Sequence, residues 1–197
     1  MSIQTVGIIG AGTMGNGIAQ ACAVSGVNVV MVDISEAAVA KGIATVTSSL
    51  DRLIKKEKMT EAEKTAALAR IHGSTQYQDL QKAQLVIEAA TENFDLKVKI
   101  LKQVDSLLAE DVVVASNTSS ISITKLAAAT TRADRFIGMH FFNPVPMMAL
   151  VEIIRGLQTS DATHDAVQAL AKRLGKSPIT VKNAPGFVVN RILVPMI

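Results

Sequence analysis

The chain has 197 residues, enough for one large domain with a sizeable core, and 49% of its residues are apolar while only 3% are aromatic. Its net charge is +3, and it contains no run of Lys and Arg long enough to follow a nucleic-acid backbone, which argues against nucleic-acid binding. The apolar runs are too short to span a bilayer and the N-terminus lacks the pattern of a secretory signal, which leaves the cytoplasm or an organelle lumen. We expect a cytoplasmic protein without membrane contact.

Strand-like and helical segments alternate along the first 130 residues. Strands are predicted at residues 3–9, 28–32, 85–89 and 112–115, and helices at residues 13–25, from residue 35 onward, and at residues 95–108 and 123–129. Alternation of this kind builds βαβ units with right-handed crossovers. The sequence therefore predicts the α/β class, with a doubly wound and mostly parallel sheet.

An unusually long helical stretch lies between the second predicted strand and Ile71. Its residues Leu50, Leu53 and Ile54 form one apolar stripe, and residues 60–63 have the Thr and Glu of a capping box that restarts the helix. We expect a helical hairpin that projects from the sheet.

The last third of the chain has a different pattern. Two strands are predicted at residues 135–141 and 150–154 with no helix between them, which indicates an antiparallel edge. A helix at residues 162–174 ends before Gly175, and residues 178–181 form a last short strand. The segment from Phe187 to Ile197 is almost wholly apolar and would form a helix without a polar face, so either it inserts into a partner or the sequence is cut short. We favour truncation at a domain boundary near residues 183–186.

A glycine-rich turn, GAGTMG, follows the first strand and opens the first helix. Gly10 makes the tight turn, Gly12 leaves room for a pyrophosphate, and Gly15 lets the helix pack closely on the strand. Thr13 and Met14 begin the helix, whose free N–H groups and positive dipole end attract phosphate. This context indicates a Rossmann-type dinucleotide site, although glycines can also serve a tight turn alone.

Asp33 ends the second strand at the distance where a carboxylate binds an adenosine ribose. No Arg or Lys follows closely enough to neutralise a 2′-phosphate. We therefore expect NAD rather than NADP, and we expect no bound metal.

Polar residues follow three further strands, at the edge of the sheet where ligands bind. They are Glu92, the segment 116–120 (SNTSS), and His140. Oxidation of an alcohol requires a base, and His titrates near neutral pH, so His140 is the candidate base. Glu152, on the neighbouring strand, is placed to orient the imidazole if the two strands lie side by side. Taken singly, His140 could be a core histidine and Glu152 a solvated strand residue.

Two polar residues of these loops remain ambiguous. Ser119 could cap the following helix, a task that Ser122 could perform equally well. The amide of Asn143, held extended by Pro144, could face a carboxamide or a thioester, or satisfy the backbone of its own turn.

Taken together, GAGTMG with Asp33, ASNTSS, HFFNPVP, Glu152 and PGFVVNR strongly resemble the L-3-hydroxyacyl-CoA dehydrogenase family, which includes bacterial 3-hydroxybutyryl-CoA dehydrogenases. The resemblance implies that His140 is the catalytic base, that Glu152 orients it, and that Ser119 and Asn190 hold the region of the substrate's 3-oxygen. It also implies a set of NAD contacts beyond the glycine turn: Asp33, Glu92, Lys97, Asn117, Ser119 and Asn143.

The resemblance further implies that the helical hairpin meets the nucleotide of coenzyme A through Ser49, Arg52 and Lys56. The alternative is that this charged stretch is only a solvated face. Residues 1–184 would form the NAD-binding domain. Residues 185–197 would begin an all-helical C-terminal domain, truncated here, that supplies the homodimer contact and closes over the substrate.

The expected reaction is the oxidation of a (S)-3-hydroxyacyl-CoA, such as 3-hydroxybutyryl-CoA, to the 3-oxoacyl-CoA, such as acetoacetyl-CoA, and its reverse. Chain length and direction, breakdown of fatty acids or synthesis of a four-carbon product, stay open. The β-hydroxyacid dehydrogenases share the glycine loop but use a Lys four residues before an Asn, where this chain has Gly186 before Asn190. A second possibility is a dinucleotide-binding module without turnover.

Overall fold

The fold is described by a computed structural model for residues 2–193, which form eight strands and seven α-helices. The strands are β1 (Thr5–Ile9), β2 (Asn28–Val32), β3 (Ile71–Ser74), β4 (Leu85–Glu88), β5 (Val113–Ser116), β6 (Phe136–Phe141), β7 (Leu150–Arg155) and β8 (Ser177–Lys182). The helices are α1 (Thr13–Val24), α2 (Glu36–Lys55), α3 (Glu61–Ala69), α4 (Phe94–Asp105), α5 (Ile123–Ala127), α6 (Asp161–Arg173) and α7 (Val189–Leu193). Within residues 2–193, no helix has the length and apolar character needed to cross a membrane.

All eight strands belong to one sheet, in the order β3-β2-β1-β4-β5-β6-β7-β8. The pairs from β3 to β6 are parallel, β7 is antiparallel to β6, and β8 is parallel to β7. The predicted α/β sheet with an antiparallel pair is confirmed. Parallel neighbours end at the same edge, so the loops after β1, β4, β5 and β6 meet there.

Apolar side chains cover both faces of the sheet. Ile8 points to a core that includes Ile18 of α1 and residues of α6, and the adjacent Ile9 points to a core with Leu101 of α4 and Phe136. Successive side chains of a strand face opposite sides, so a continuous apolar strand can be buried only between two layers of helices. The arrangement is the doubly wound fold that the sequence predicts.

The long helical stretch forms a hairpin of α2 and α3. Thr60 and Glu63 make the predicted capping box, in which the Thr60 hydroxyl accepts from the Glu63 N–H at 3.2 Å and the Thr60 N–H donates to the Glu63 carboxylate at 2.8 Å. A small core of Val46, Leu50 and Ala67 packs against Ala23 of α1. The hairpin is therefore attached to the sheet through α1 and β3.

Two features differ from, or extend beyond, the sequence prediction. The edge strand β3 was not predicted, because the four residues IHGS show no apolar alternation and pair with only one neighbour, β2. The apolar C-terminal segment contains the short helix α7, and the part of that prediction that concerns residues 194–197 lies outside the described residues.

Candidate active site

The glycine turn after β1 leads into α1, and no side chain caps the N-terminal end of that helix. Gly12 precedes α1 without a side-chain cap, and no acidic residue lies in the first turn of α1. A Cβ atom placed on Gly12 would meet no heavy atom within 4 Å, whereas one on Gly15 would lie 1.7 Å from the Gly10 carbonyl oxygen. Thr13 is exposed and Met14 half-buried beside this open space. These features fit a pyrophosphate, because the N–H groups at the start of α1 face an uncovered space and no acidic side chain lies in the first turn of the helix.

Asp33 lies beside this turn at the end of β2. Its carboxylate accepts from the N–H of Ala11 at 2.6 Å and from the N–H of Ile34 at 2.7 Å, and it remains partly exposed. The carboxylate is thereby fixed next to the phosphate position and keeps lone pairs for a ribose hydroxyl. The residues present therefore fit NAD.

Glu92 organises the loop after β5. One oxygen of its carboxylate accepts from the Thr118 hydroxyl at 2.7 Å, the Ser119 N–H at 2.9 Å and the Ser119 hydroxyl at 3.0 Å. Burial raises the pKa of Glu92, but these hydrogen bonds and the charge of Lys97 lower it more, so the pKa lies below its ordinary value of 4.5. Ser122, rather than Ser119, caps α5.

Lys97 lies below this loop and is 1% exposed. Its ammonium binds the carboxylate of Glu88 and lies 3.4 Å from the Ser116 hydroxyl and 3.9 Å from the Glu92 carboxylate. The second oxygen of Glu88 accepts from the Ala90 N–H at 2.9 Å. Sequence reasoning assigned no role to Glu88 or Ser116, although a polar residue closing a fully buried strand was an available signal.

His140 and Glu152 lie directly opposite each other on β6 and β7. The imidazole Nδ1 is 2.8 Å from a Glu152 carboxylate oxygen, and the two residues are 6% and 0% exposed. The sequence predicts this pair on the condition that the two strands lie side by side. The structure meets that condition, because β6 and β7 are antiparallel neighbours. The pair is close enough for an orienting hydrogen bond.

The second oxygen of Glu152 accepts from the N–H groups of Val188 and Val189, each at 3.0 Å. Immediately after them, the Asn190 amide donates to the Ser119 carbonyl at 3.3 Å. The C-terminal segment therefore brings Asn190 and Ser119 together next to the His140–Glu152 pair.

Two asparagines predicted to line the cofactor differ in surroundings. Asn117 is half-buried, and its carbonyl accepts from the Phe141 N–H at 2.9 Å, which links the ends of β5 and β6. Asn143 is exposed in the turn after β6.

The three residues predicted to meet coenzyme A lie apart from these loops. Ser49, Arg52 and Lys56 are at or near the C-terminal end of α2, and their spacing places them on one helical face. α2 packs against α1, α3 and β3, and β3 lies five strand positions from β6, about 24 Å across the sheet. Because His140 lies on β6, this helical face and His140 belong to different parts of the sheet.

Comparisons with known proteins give one consistent result. Residues 5–184 match the model of the 3-hydroxyacyl-CoA dehydrogenase NAD-binding domain. The chain is 49% identical to a 3-hydroxybutyryl-CoA dehydrogenase of Bradyrhizobium diazoefficiens, covering 99% of this chain and 67% of the relative. It is 46% identical to one from Clostridioides difficile, covering 96% and 68%. The crystal structure of (S)-3-hydroxybutyryl-CoA dehydrogenase from Ralstonia eutropha has a TM-score of 0.98 and 79% identity, with 99% of this chain and 69% of that chain covered.

Proposed function

The chain belongs to the 3-hydroxyacyl-CoA dehydrogenase family, and on that premise we propose that it interconverts (S)-3-hydroxybutyryl-CoA and acetoacetyl-CoA with NAD and with His140 as the general base. It is an NAD-dependent dehydrogenase, and residues 1–184 are the proposed NAD-binding domain. The segment from residue 185 onward is the proposed start of a helical domain that completes the substrate site and carries the dimer contact. NAD, when bound, supplies the acceptor for the hydrogen that leaves C3 with its electron pair.

The observation that carries the proposal is the hydrogen bond between His140 and Glu152. A carboxylate accepts hydrogen bonds, so the 2.8 Å contact favours the tautomer with the proton on Nδ1. Nε2 then keeps its lone pair and can take the proton of the substrate's 3-hydroxyl. Glu152 also stabilises the imidazolium that forms, as the carboxylate of a catalytic triad does.

The position of His140 in the sheet supports the same role. It lies near the carboxyl end of β6, at the edge where the glycine turn follows β1 and where Ser116 ends β5. A dinucleotide bound at the glycine turn would extend along this edge toward the later strands. The substrate carbon can then lie between cofactor and imidazole.

Ser119 and Asn190 are the proposed contacts of the substrate's 3-oxygen region. Glu92 accepts from both the backbone and the hydroxyl of Ser119, which fixes the residue. Asn190 is held against Ser119 by its amide. Asn190 directly follows Val189, whose N–H donates to Glu152, and this supports a place for both residues on the substrate side of the His140–Glu152 pair.

The test is reduction of acetoacetyl-CoA, followed by the loss of NADH absorbance. We expect His140→Gln to lower kcat by about 10²–10⁴-fold, the usual contribution of a general base, with little change in NADH affinity. The chain has no Trp, so the emission of NADH itself reports binding without interference from tryptophan. His72→Gln, at an exposed position of β3, is the matched control and should keep full activity.

Full turnover by His140→Gln would refute the assignment of the base. Tight NADH binding by the unmodified chain with no turnover would instead support a dinucleotide-binding module. The two results can be told apart, because the first is measured on the His140→Gln variant and the second on the unmodified chain.

A further inference from the structure

Two aromatic rings lie close to the imidazole of His140. The ring of Phe142 has its centroid 4.4 Å from that of His140 and is tilted by 48°, and the ring of Phe187 is 5.8 Å away and tilted by 57°. Phe187 is 2% exposed. Both distances fall within the range of about 6 Å over which an aromatic face attracts a cation.

Phe187 has an unusual backbone conformation. Its φ is +50°, in the left-handed region that a bulky side chain rarely adopts, and it follows Gly186 with φ +71°. Such a conformation persists only where surrounding contacts hold it, and it is frequent at functional sites. Here the turn places the Phe187 ring in the core next to His140.

The same turn aims the next two backbone N–H groups at Glu152. Val188 and Val189 both donate to one carboxylate oxygen at 3.0 Å, while the other oxygen binds His140. The segment 187–189 therefore contacts both members of the pair, the imidazole through a ring and the carboxylate through two amides.

We propose that Phe187 is a positioning residue for His140, acting with Phe142 through their ring faces. This inference rests on the proposed function. When His140 takes the proton from the 3-hydroxyl, the imidazole becomes a cation close to two aromatic rings, and the negative face of an aromatic ring favours a nearby cation. The rings also limit rotation of the imidazole, so that Nδ1 stays on Glu152 and Nε2 faces the substrate.

The decisive comparison is between Phe187→Leu and Phe187→Tyr. Leu, like Phe, is unbranched at Cβ, so the substitution should add no strain to the left-handed backbone conformation. The Leu side chain is also apolar, but it has no aromatic ring face. For Phe187→Leu we expect kcat to fall about threefold to tenfold, the effect of losing one cation–π contact, with unchanged KM and NADH affinity. Phe187→Tyr should remain within about twofold of the unmodified protein, because the ring is retained.

Nitrogen-15 NMR of labelled histidine supplies a readout that does not depend on turnover. In the unmodified protein we expect His140 to show the Nδ1–H tautomer alone, with its signal assigned by its loss in His140→Gln. In Phe187→Leu we expect the His140 signals of the two tautomers to average. If Phe187→Leu does not fold, Phe142→Leu takes its place with the same expected result. Phe94→Leu, at an exposed position of α4, is the control and should change neither the spectrum nor kcat.

An unchanged His140 spectrum and unchanged kcat in the folded Leu variants would overturn this inference. Equal losses in Phe187→Tyr and Phe187→Leu would also overturn it, since the ring face would then have no effect. Full turnover in His140→Gln would refute the proposed function instead, so the two failures are distinguishable.

Discussion

The glycines of the first turn serve two different purposes. Gly10 has φ +102°, and a Cβ atom there would lie 2.7 Å from the Cα of Ala90. A Cβ atom on Gly15 would overlap the Gly10 carbonyl oxygen at 1.7 Å. Gly12, by contrast, faces open space. Two of these glycines are thus required by the fold, and the third keeps space free where a pyrophosphate would lie.

This difference predicts opposite outcomes for two alanine substitutions. Gly12→Ala should leave the free energy of unfolding nearly unchanged and weaken NADH binding at least about tenfold, because the new methyl group occupies the phosphate position. Gly15→Ala should destabilise the protein by about 1–3 kcal/mol or more, because its methyl group cannot be accommodated. Urea unfolding and NADH emission titrations measure both quantities. Wild-type NADH affinity in Gly12→Ala would contradict the assignment of the phosphate site.

Elements with strong local signals could be predicted from the sequence, and elements that depend on distant partners could not. The strand Asn28–Val32 and the Thr60–Glu63 capping box follow from adjacent residues, so their positions were correct. β3 was missed because it depends on pairing with β2 and on close contact of Gly73 with Val39 of α2.

The same distinction applies to the candidate site. The opposed positions of His140 and Glu152 could be inferred, because a short connection without a helix predicts antiparallel neighbours. The ion pair of Glu88 and Lys97 joins β4 to α4, and although a polar residue at the end of a buried strand is a signal, the sequence does not indicate which residue is its partner. The ring of Phe187 reaches His140 only through a left-handed turn, which an aromatic residue in the sequence does not predict.

A buried ion pair connects the end of α4 to the segment before β6. The Asp105 carboxylate accepts from the Arg132 Nε at 2.6 Å and from the Thr131 N–H at 2.8 Å. Burial raises the pKa of Asp105, but the hydrogen bonds from Arg132 and Thr131 lower it more, so it lies below the ordinary value of 3.8. Because the folded pKa is depressed, the stabilisation is complete above pH 3.8 and is lost as the pH falls through the folded pKa.

Asp105→Asn should lower the free energy of unfolding at pH 7 by about 1.5–3 kcal/mol, the contribution of hydrogen bonds to charged groups. The difference in unfolding free energy between Asp105→Asn and the unmodified protein should shrink as the pH falls below 3.8, the ordinary pKa of an aspartic acid. Asp51→Asn, which breaks the partly exposed contact of Asp51 with Lys64 at 2.6 Å, is the matched control and should cost at most about 1 kcal/mol. A pH-independent difference for Asp105→Asn would refute the electrostatic explanation.

At the scale of the whole molecule, the site loops and the basic end of α2 are far apart. The net charge is only +3, yet Arg52, Lys55 and Lys56 lie together at the end of α2 with Lys58 close behind. Coenzyme A combines a phosphorylated nucleotide with a long flexible arm that ends in the thioester. The proposed contact would bind the phosphates at the end of α2, with the arm extending toward His140.

The prediction that follows concerns the double variant Arg52→Glu with Lys56→Glu. It should raise the KM for acetoacetyl-CoA by about tenfold at low ionic strength, because exposed charges on one helical face attract phosphate, and the effect should weaken as salt screens them. NADH affinity should not change, because the glycine turn and Asp33 are untouched. The control is Lys102→Glu with Lys172→Glu, on α4 and α6, which makes the same change in net charge elsewhere. An equal rise in KM in both double variants would indicate a general charge effect and would remove the proposed coenzyme A contact at α2.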